Sequence, residues 1–335
     1  MRCLALAQAW QDAGGEVIFA TAGDVRPLRA RLRAEGIEVV RLMAEAGSPV
    51  DARACAALAE EMDARWIVAD GYHFQRDYQR VLRQSGRRLL LIDDYGSAGA
   101  YSVDLVLNQN LSAREELYER RDADTELLLG TRYTLLRREF AQWLEWERSI
   151  PPAARKLLVT LGGSDPDNVT RGVIEALDRI APREWDIVVV VGGSNPHCES
   201  LKAAVQTARA RFHLKHNVAD MPDWMAWADL AISAGGSTTW ELCCLGVPTV
   251  LIVLADNQEA STAAVARTGC MESIGRWEPL RSPDQLGRLV RELADDASRR
   301  QAMSVAARRL VDGQGAGRVV ERLMAAADQR AEVVA

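Results

Sequence analysis

Lys156-Leu157-Leu158-Val159-Thr160-Leu161-Gly162-Gly163-Ser164-Asp165 is an apolar run that stops on a glycine turn, and the pattern returns twice. Ile187 to Val191 runs into Gly192-Gly193-Ser194-Asn195, and Ala231-Ile232-Ser233-Ala234 runs into Gly235-Gly236-Ser237-Thr238. Each run is short, rich in leucine or β-branched residues, free of in/out alternation and followed by a helical pattern. That combination marks parallel strands covered on both faces, with the turns at their carboxyl ends. Open sheets of this kind bind ligands at that edge. Glycine lets the backbone approach a phosphate, and the free N–H groups of a following helix attract an anion.

The same alternation extends outward over the whole chain. Further strands are expected at Glu16–Ala20, Glu38–Arg41, Trp66–Ala69, Leu89–Ile92, Asp104–Leu107 and Glu126–Leu129. In the second half they fall at Lys156–Leu161, Asp186–Val191, His213–His216, Leu230–Ser233 and Thr249–Leu254. Helices fit Arg2–Ala13, Asp51–Asp63, Asn168–Ile180, Ser237–Leu245, Asn257–Thr268 and Ser282–Ala294, and the alanine-rich tail Ala325–Ala335 reads as a fraying helix end. A charged, tryptophan-bearing helix at Arg137–Arg148 precedes a break at Ser149-Ile150-Pro151-Pro152. The expected architecture is α/β, with two doubly wound, Rossmann-like domains facing a cleft. Residues 1–150 form the first domain and 151–335 the second, its last helix returning to pack on the first.

Composition narrows the function. The 335 residues suit two cores, and 48% apolar with 26% charged residues is the balance of a water-soluble globular protein. A net charge of −6 argues against a general nucleic-acid binder. The longest apolar run, Pro248–Ala255, falls far short of the ~18 residues that cross a bilayer. Six cysteines (3, 55, 198, 243, 244 and 270) include no Cys-x-x-Cys pair, and four histidines show no zinc spacing. They read as small buried residues in a reducing compartment, which points to the cytoplasm and to no metal site or cofactor.

The third glycine turn is the strongest candidate site. Ser237 or Thr238 can cap the helix that follows, and Glu241 lies one turn into it, placed to face a ribose. Gly-x-x-x-x-Gly-Lys and Gly-x-Gly-x-x-Gly are both absent, so neither a Walker nor a dinucleotide fingerprint is present. Gly192-Gly193 is assigned to turn geometry alone. Asp256-Asn257-Gln258 ends a buried strand. One of the first two can cap the next helix, and the three together suit hydroxyl and amide recognition.

In the first half, Asp70-Gly71-Tyr72-His73, Asp93-Asp94-Tyr95-Gly96 and Asn108-Gln109-Asn110 each follow a strand and would line the cleft. Adjacent strand residues point to opposite faces, so one of Asp93 and Asp94 anchors a turn and the other faces the cleft. His73, a lone loop histidine, reads as a surface residue, and the nine tryptophans read as packing anchors.

Together these residues carry a resemblance. Ser233-Ala-Gly-Gly-Ser-Thr-Thr-Trp-Glu241, Cys243-Cys-Leu-Gly-Val-Pro248 and Leu254-Ala-Asp-Asn-Gln258 resemble the UDP-2,4-diacetamido-2,4,6-trideoxy-β-L-altropyranose hydrolases of pseudaminic acid biosynthesis. Leu161-Gly-Gly-Ser-Asp-Pro166, Asn108-Gln-Asn110, Asp312-Gly-Gln-Gly-Ala316 and Met1-Arg-Cys-Leu-Ala-Leu-Ala7 extend it over nearly the whole chain. The family is similar to glycosyltransferases of the GT-B fold, such as MurG. The resemblance implies a UDP-sugar substrate, with Gly163, Ser164, Gly235, Gly236, Ser237 and Thr238 at the diphosphate and Glu241 at the ribose. It places Asp256, Asn257 and Gln258 at the sugar and Tyr72 in the catalytic cleft; Tyr72, Asp256 and Asn257 are the candidate catalytic residues, and Asp70, at a strand end, is a candidate sugar contact beside Asn257 and Gln258. It implies metal-independent attack of water at the anomeric carbon, by a chain that acts as a monomer.

One element departs from the pattern. The family's catalytic histidine stands in a Gly-His-x-Met-Arg-Cys-Leu segment, whose Met-Arg-Cys-Leu is residues 1–4 here. A doubly wound sheet has its first strand at the centre, and here the first element is the helix that should follow that strand. The expectation is that Met1 is an internal methionine, and that without the strand the sheet either gaps or closes up. A GT-B glycosyltransferase and a noncatalytic UDP-sugar-binding protein remain alternatives to the hydrolase.

Overall fold

The computed structural model describes residues 1–23 and 26–333. It divides the chain into two units, Met1–Arg138 with Gly313–Ala335, and Glu139–Asp312. In the first, α1 (Arg2–Asp12), β1 (Ile18–Thr21), α2 (Arg26–Ala34), β2 (Glu38–Arg41), α3 (Pro49–Glu61) and β3 (Trp66–Asp70) follow one another. Then come α4 (Arg76–Gln84), β4 (Arg88–Ile92), β5 (Leu105–Asn108) and β6 (Glu126–Leu129). The second unit holds β7 (Lys156–Thr160), α5 (Val169–Ile180), β8 (Asp186–Val191), α6 (Cys198–Thr207), β9 (Arg211–His216) and α7 (Met221–Trp227). It continues with β10 (Leu230–Ala234), α8 (Thr238–Cys244), β11 (Thr249–Val253), α9 (Glu259–Arg267) and β12 (Glu272–Arg276). Two helices close it, α10 (Ser282–Asp295) and α11 (Ala297–Leu310), before α12 (Gly315–Val333) packs against α1 in the first unit. Val334 and Ala335, the end of the expected fraying tail, lie outside the described residues.

The second unit is a single parallel sheet in the order β12-β11-β10-β7-β8-β9. Its central strands β10 and β11 are buried from end to end and β7 from Leu157 to Thr160, because helices cover both faces. β7 and β10 are neighbours, paired from Leu157↔Leu230 to Thr160↔Ser233, so the first and third glycine turns emerge side by side. Val159, Val173, Leu177, Ile187, Ile232 and Leu286 belong to the core that joins this sheet to α5 and α10.

The first unit is also parallel, and its sheet is in two pieces: β1-β2, and β3-β4-β5-β6. Of the two outcomes expected without a first strand, the gap is the one observed. On one face, α1 and α12 pack Leu6, Val319 and Leu323 over Leu90, Ile92 and Leu105. On the other, Ala52, Ala59 and Leu82 of α3 and α4 cover Ile67, Leu89 and Leu91.

The expected helix at Arg137–Arg148 is only a 3-10 segment, Arg138–Trp143. The carbonyl of Leu144, which an α-helix over that span would bond to Arg148 N, accepts instead from the Arg308 guanidinium, as does that of Trp146. Helices α2, α4, α6, α7 and α11 and strand β12 lie outside the elements expected from the sequence. α2 offers little more than Leu28 and Leu32 as an apolar pair, and β12 (Glu-Ser-Ile-Gly-Arg) has one apolar residue in five.

Candidate functional site

The carboxyl edge of the second unit's sheet gathers the glycine turns, and their glycines fall into two groups. Gly162 has φ +88°, in the left-handed region that favours glycine. Gly192 has no such φ, but a Cβ on it would sit 2.5 Å from both Cα and the carbonyl oxygen of Gly163 and 2.7 Å from that of Gly162. Its assignment to turn geometry is therefore corrected: Gly192 is glycine because the first glycine turn rests directly on it. Gly235 is buried, donates its N–H to Ile252 O at 3.1 Å, and leaves no room for a Cβ, which would lie 2.0 Å from Thr262 Oγ1.

Gly163 and Gly236 are different. Neither has a positive φ; a Cβ on Gly163 would meet nothing within 4 Å, and one on Gly236 only Gln258 Nε2 at 4.0 Å. The protein's own packing does not require glycine at either place. Both stand at the ends of adjacent strands, β7 and β10, over open space in which a ligand could approach the main chain.

Around them, Asp165 is buried and its two carboxylate oxygens accept from Val169 N and Thr170 N, each at 2.9 Å, so it caps α5. Ser164, between Gly163 and this cap, is exposed. Ser237 occupies the N-cap of α8, but neither it nor Thr238 makes the expected side-chain cap: Ser237 already has αR dihedrals (φ −60°, ψ −25°), and its side chain accepts no helix N–H. Ser237 is exposed, Thr238 is half-buried, and Glu241 is half-buried in the first turn of α8. The far end of α8 is fixed by Arg148, which donates to Leu245 O at 3.0 Å, Ala228 O at 2.5 Å and Met225 O at 2.7 Å.

Asp256-Asn257-Gln258 form a 3-10 turn after β11. Neither Asp256 nor Asn257 caps α9: its N-cap is Gln258, with no side-chain cap. Gln258 instead accepts from Leu254 N through Oε1 at 2.9 Å, which leaves its amide nitrogen on the Gly236 side. Asp256 is ion-paired to Arg276, whose guanidinium also holds Glu259 at 2.8 Å. Sequence reasoning missed Arg276 because it ends the unexpected strand β12, and it missed Thr262 because an isolated helical threonine carries no signal.

In the first unit, the residues expected at the carboxyl edge come together around one that was not. Arg2 donates to both oxygens of Asp70, at 3.0 and 2.6 Å, and to Asp94 at 2.7 Å. Tyr72 OH and Asn110 Nδ2 also donate to Asp94, at 2.9 and 2.8 Å, and the Cys3 thiol donates to Asp70 at 3.0 Å. Burial pushes the Asp70 carboxyl up, but the hydrogen bonds and charge of Arg2 outweigh this and hold it below the usual carboxylate range. Asp93 takes the anchoring role: it is buried, accepts from the N–H groups of Tyr95, Gly96 and Ser97 at 3.0–3.1 Å, and accepts the Tyr101 hydroxyl. Asp93 is therefore the one of the pair that anchors a turn, while Asp94 is held by Arg2, Tyr72 and Asn110. Asn108 is buried and bonded to Tyr118 and to Asp94 O, and Gln109 Oε1 accepts from Leu135 N, so both support the turns. His73 is exposed, against the edge of Phe74. All six cysteines are free thiols, but only Cys243, Cys244 and Cys270 are buried; the thiols of Cys3 and Cys198 reach polar partners at partly open positions. Among the described residues, no cluster of three His, Cys, Asp or Glu side chains could hold a metal ion.

Two parallel α/β units define a fold, and comparison with known proteins names it: the chain has the GT-B glycosyltransferase fold, with two Rossmann-like domains. Residues 157–319, which contain all three glycine turns, match the glycosyltransferase family 28 C-terminal domain. The chain is similar to the spore coat polysaccharide biosynthesis protein SpsG of Bacillus subtilis, 26% identical over 246 residues, which are 72% of this chain and 70% of SpsG. Among solved structures, MurG of Acinetobacter baumannii superposes with a TM-score of 0.65 at 16% identity, over 96% of this chain and 95% of that one. Anabaena Alr3699/HepE in complex with UDP and glucose does so with a TM-score of 0.60 at 16% identity, over 96% and 95%. At these identities the structural likenesses establish the fold alone. No helix among the described residues is long and apolar enough to cross a membrane.

Proposed function

We propose that the chain binds a UDP-sugar and splits it with water, releasing UDP and the free sugar. The observation that carries the nucleotide site is the pair of glycines, Gly163 and Gly236, that packing does not require and that stand over open space at adjacent strand ends. The diphosphate lies there, on the main-chain N–H groups of the two turns and the first turn of α8, with Ser164, Ser237 and Thr238 as hydroxyl donors. Glu241 accepts from the ribose hydroxyls. Asn257, Gln258 and the Arg276-held Asp256 contact the sugar, Tyr72 acts in catalysis and Asp70 supports the sugar side. The family 28 match to residues 157–319 and the UDP in HepE support a nucleotide at this edge.

In the reaction, a water oxygen bonds to the anomeric carbon, the bond from that carbon to the β-phosphate oxygen breaks, and the water's proton passes to a base. Oriented amides that meet the departing UDP stabilise its charge. The sequence resemblance described above favours water as nucleophile and a 2,4-diacetamido-2,4,6-trideoxy hexose as the sugar. The family 28 match favours a second reading, transfer of the sugar to an acceptor hydroxyl on the same site. Phosphorus NMR with the UDP-diacetamido sugar, excess chelator and no acceptor tests the choice. UDP appearing with turnover is the expected result. An unchanged spectrum with substrate bound overturns hydrolysis, and UDP released only after acceptor is added assigns transfer.

A further inference from the structure

The second glycine turn, Gly192-Gly193-Ser194-Asn195, has no part in the nucleotide site described above, yet it is tied to the first turn at several points. β7 and β8 are neighbours, paired as far as Thr160↔Val190, so the two turns leave the same edge side by side. The first continues as a loop from Gly162 to Asn168 before α5 begins. Its main chain is unusual: Asp165 has φ +40° and Asn168 φ +54°, two of the four non-glycine residues with positive φ among the described residues. Backbone of that kind costs free energy and persists only where its surroundings hold it.

The loop is held from two sides. On its own side, Asp165 caps α5, and Asn168 N donates to Asp165 O at 3.1 Å. The other side is the second turn. At one end of the loop, Gly162 and Gly163 rest on Gly192. At the other end, His197 Nε2 lies 2.9 Å from Pro166 O. A carbonyl oxygen only accepts, so Nε2 carries the proton. Beside this bond, Asn168 Nδ2 donates to Ser200 Oγ at 3.2 Å, and the Ser200 hydroxyl donates to His197 O at 2.9 Å.

His197 is itself fixed in place. Its N–H donates to Oδ1 of the buried Asn195 at 2.7 Å, and Asn195 N donates to Gly192 O at 3.1 Å. It stands at the N-cap of α6, where a serine, asparagine or aspartate side chain would bond the helix. The imidazole makes no such bond and reaches across to Pro166, 31 residues away in sequence. Gly163 and Ser164 therefore lie between two clamps, Gly192 beneath the start of the loop and His197 with Ser200 at its end.

We propose that the second glycine turn is a brace for the first, and that His197 is a positioning residue of the nucleotide site. Its bond to Pro166 O sets the path of the loop on which the diphosphate lies, so His197 acts through the main chain and not by touching the ligand. The proposal rests on the UDP-sugar reading given above. The test compares the parent chain with His197→Ala and with His197→Gln, whose side-chain amide nitrogen reaches about as far as Nε2 and donates in its place. UDP affinity is read by isothermal calorimetry, and exchange of the Asn168 amide without ligand by NMR. In His197→Ala, UDP binds about 3- to 10-fold more weakly, the worth of one net hydrogen bond, and the Asn168 amide exchanges faster by a similar factor. In His197→Gln both return to within about 2-fold of the parent. UDP affinity equal in His197→Ala and the parent overturns the proposal and leaves the nucleotide site standing. A loss that glutamine does not restore overturns it too, since a bond donated to Pro166 O would then not be what matters. Weaker binding with unchanged exchange at Asn168 also overturns it, because His197 would then act on the ligand and not on the loop. A parent chain that binds no UDP overturns the nucleotide reading itself, and the proposal with it.

Discussion

Replacing Gly192 by alanine tests whether the first glycine turn rests on this residue. The added Cβ would begin 2.5 Å from Gly163 Cα and O and 2.7 Å from Gly162 O, and ordinary contact starts near 3.4 Å, so the turn must move by about 0.9 Å. The obstructing atoms are main chain, so no side-chain rotation relieves them. Overpacking of this kind costs about 1–3 kcal/mol. Because Gly192 has no positive φ, the alanine also gains about 0.4–1 kcal/mol by restricting the unfolded chain. The net expectation is a loss of about 1–2 kcal/mol. At about 2–4 °C per kcal/mol for a unit of this size, Tm falls by about 2–8 °C. Scanning calorimetry reads this, and UDP titration of the same variant reads weaker binding, because Gly163 moves with the turn. A Tm equal to or above that of the parent would refute the steric argument, since only the entropic gain would then be acting.

Further substitutions separate the roles assigned above. Glu241→Ala is expected to weaken UDP binding by about 1–3 kcal/mol, through loss of hydrogen bonds to the ribose; unchanged affinity in isothermal calorimetry would remove Glu241 from the site. Arg276→Ala frees Asp256 and Glu259 together, and is expected to weaken binding of the UDP-sugar about 3- to 10-fold while leaving that of UDP unchanged. An equal loss for both ligands would contradict the placement of Asp256 at the sugar. Asp70 has a folded-state pKa below its unfolded value near ~3.9, so its contribution to stability is present above that value and is lost as pH falls through the folded pKa. Asp70→Asn should cost about 1–3 kcal/mol at pH 7 and flatten the acid limb of the Tm–pH curve below about pH 4. An acid limb as steep as that of the parent would show that other carboxylates carry it.

The strands of the second unit were legible because fully buried parallel strands have an unambiguous composition: Leu157–Thr160, Ile187–Val191 and Thr249–Val253 are continuous apolar or β-branched runs ending in turns. β12 was not, since an edge strand next to β11 needs only Ile274 to face the core. The arginine-rich α2 and α11 hide their periodicity for a related reason. In α11, even Arg300 is fully buried, its guanidinium taken by the carbonyls of Leu293, Ala294 and Pro151. In the candidate site, residue types at strand ends were readable, but their partners were not. Arg2 meets Asp70 and Asp94 across 68 and 92 residues of chain, and nothing local announces it. The sorting of the glycines was also beyond local pattern. Gly192 and Gly163 look alike in sequence, and only the packing of one turn on another separates the glycine the fold needs from the glycine left over open space.

The most direct test of the account titrates UDP, by isothermal calorimetry with thermal melts alongside, into the parent chain and into Gly163→Ala and Gly236→Ala. Open space at both positions predicts melting temperatures equal to the parent's or slightly above it, together with a loss of UDP affinity of at least about 10-fold, because each methyl group occupies the place of the diphosphate. UDP affinity unchanged in both well-folded variants would contradict the claim that this edge is the nucleotide site.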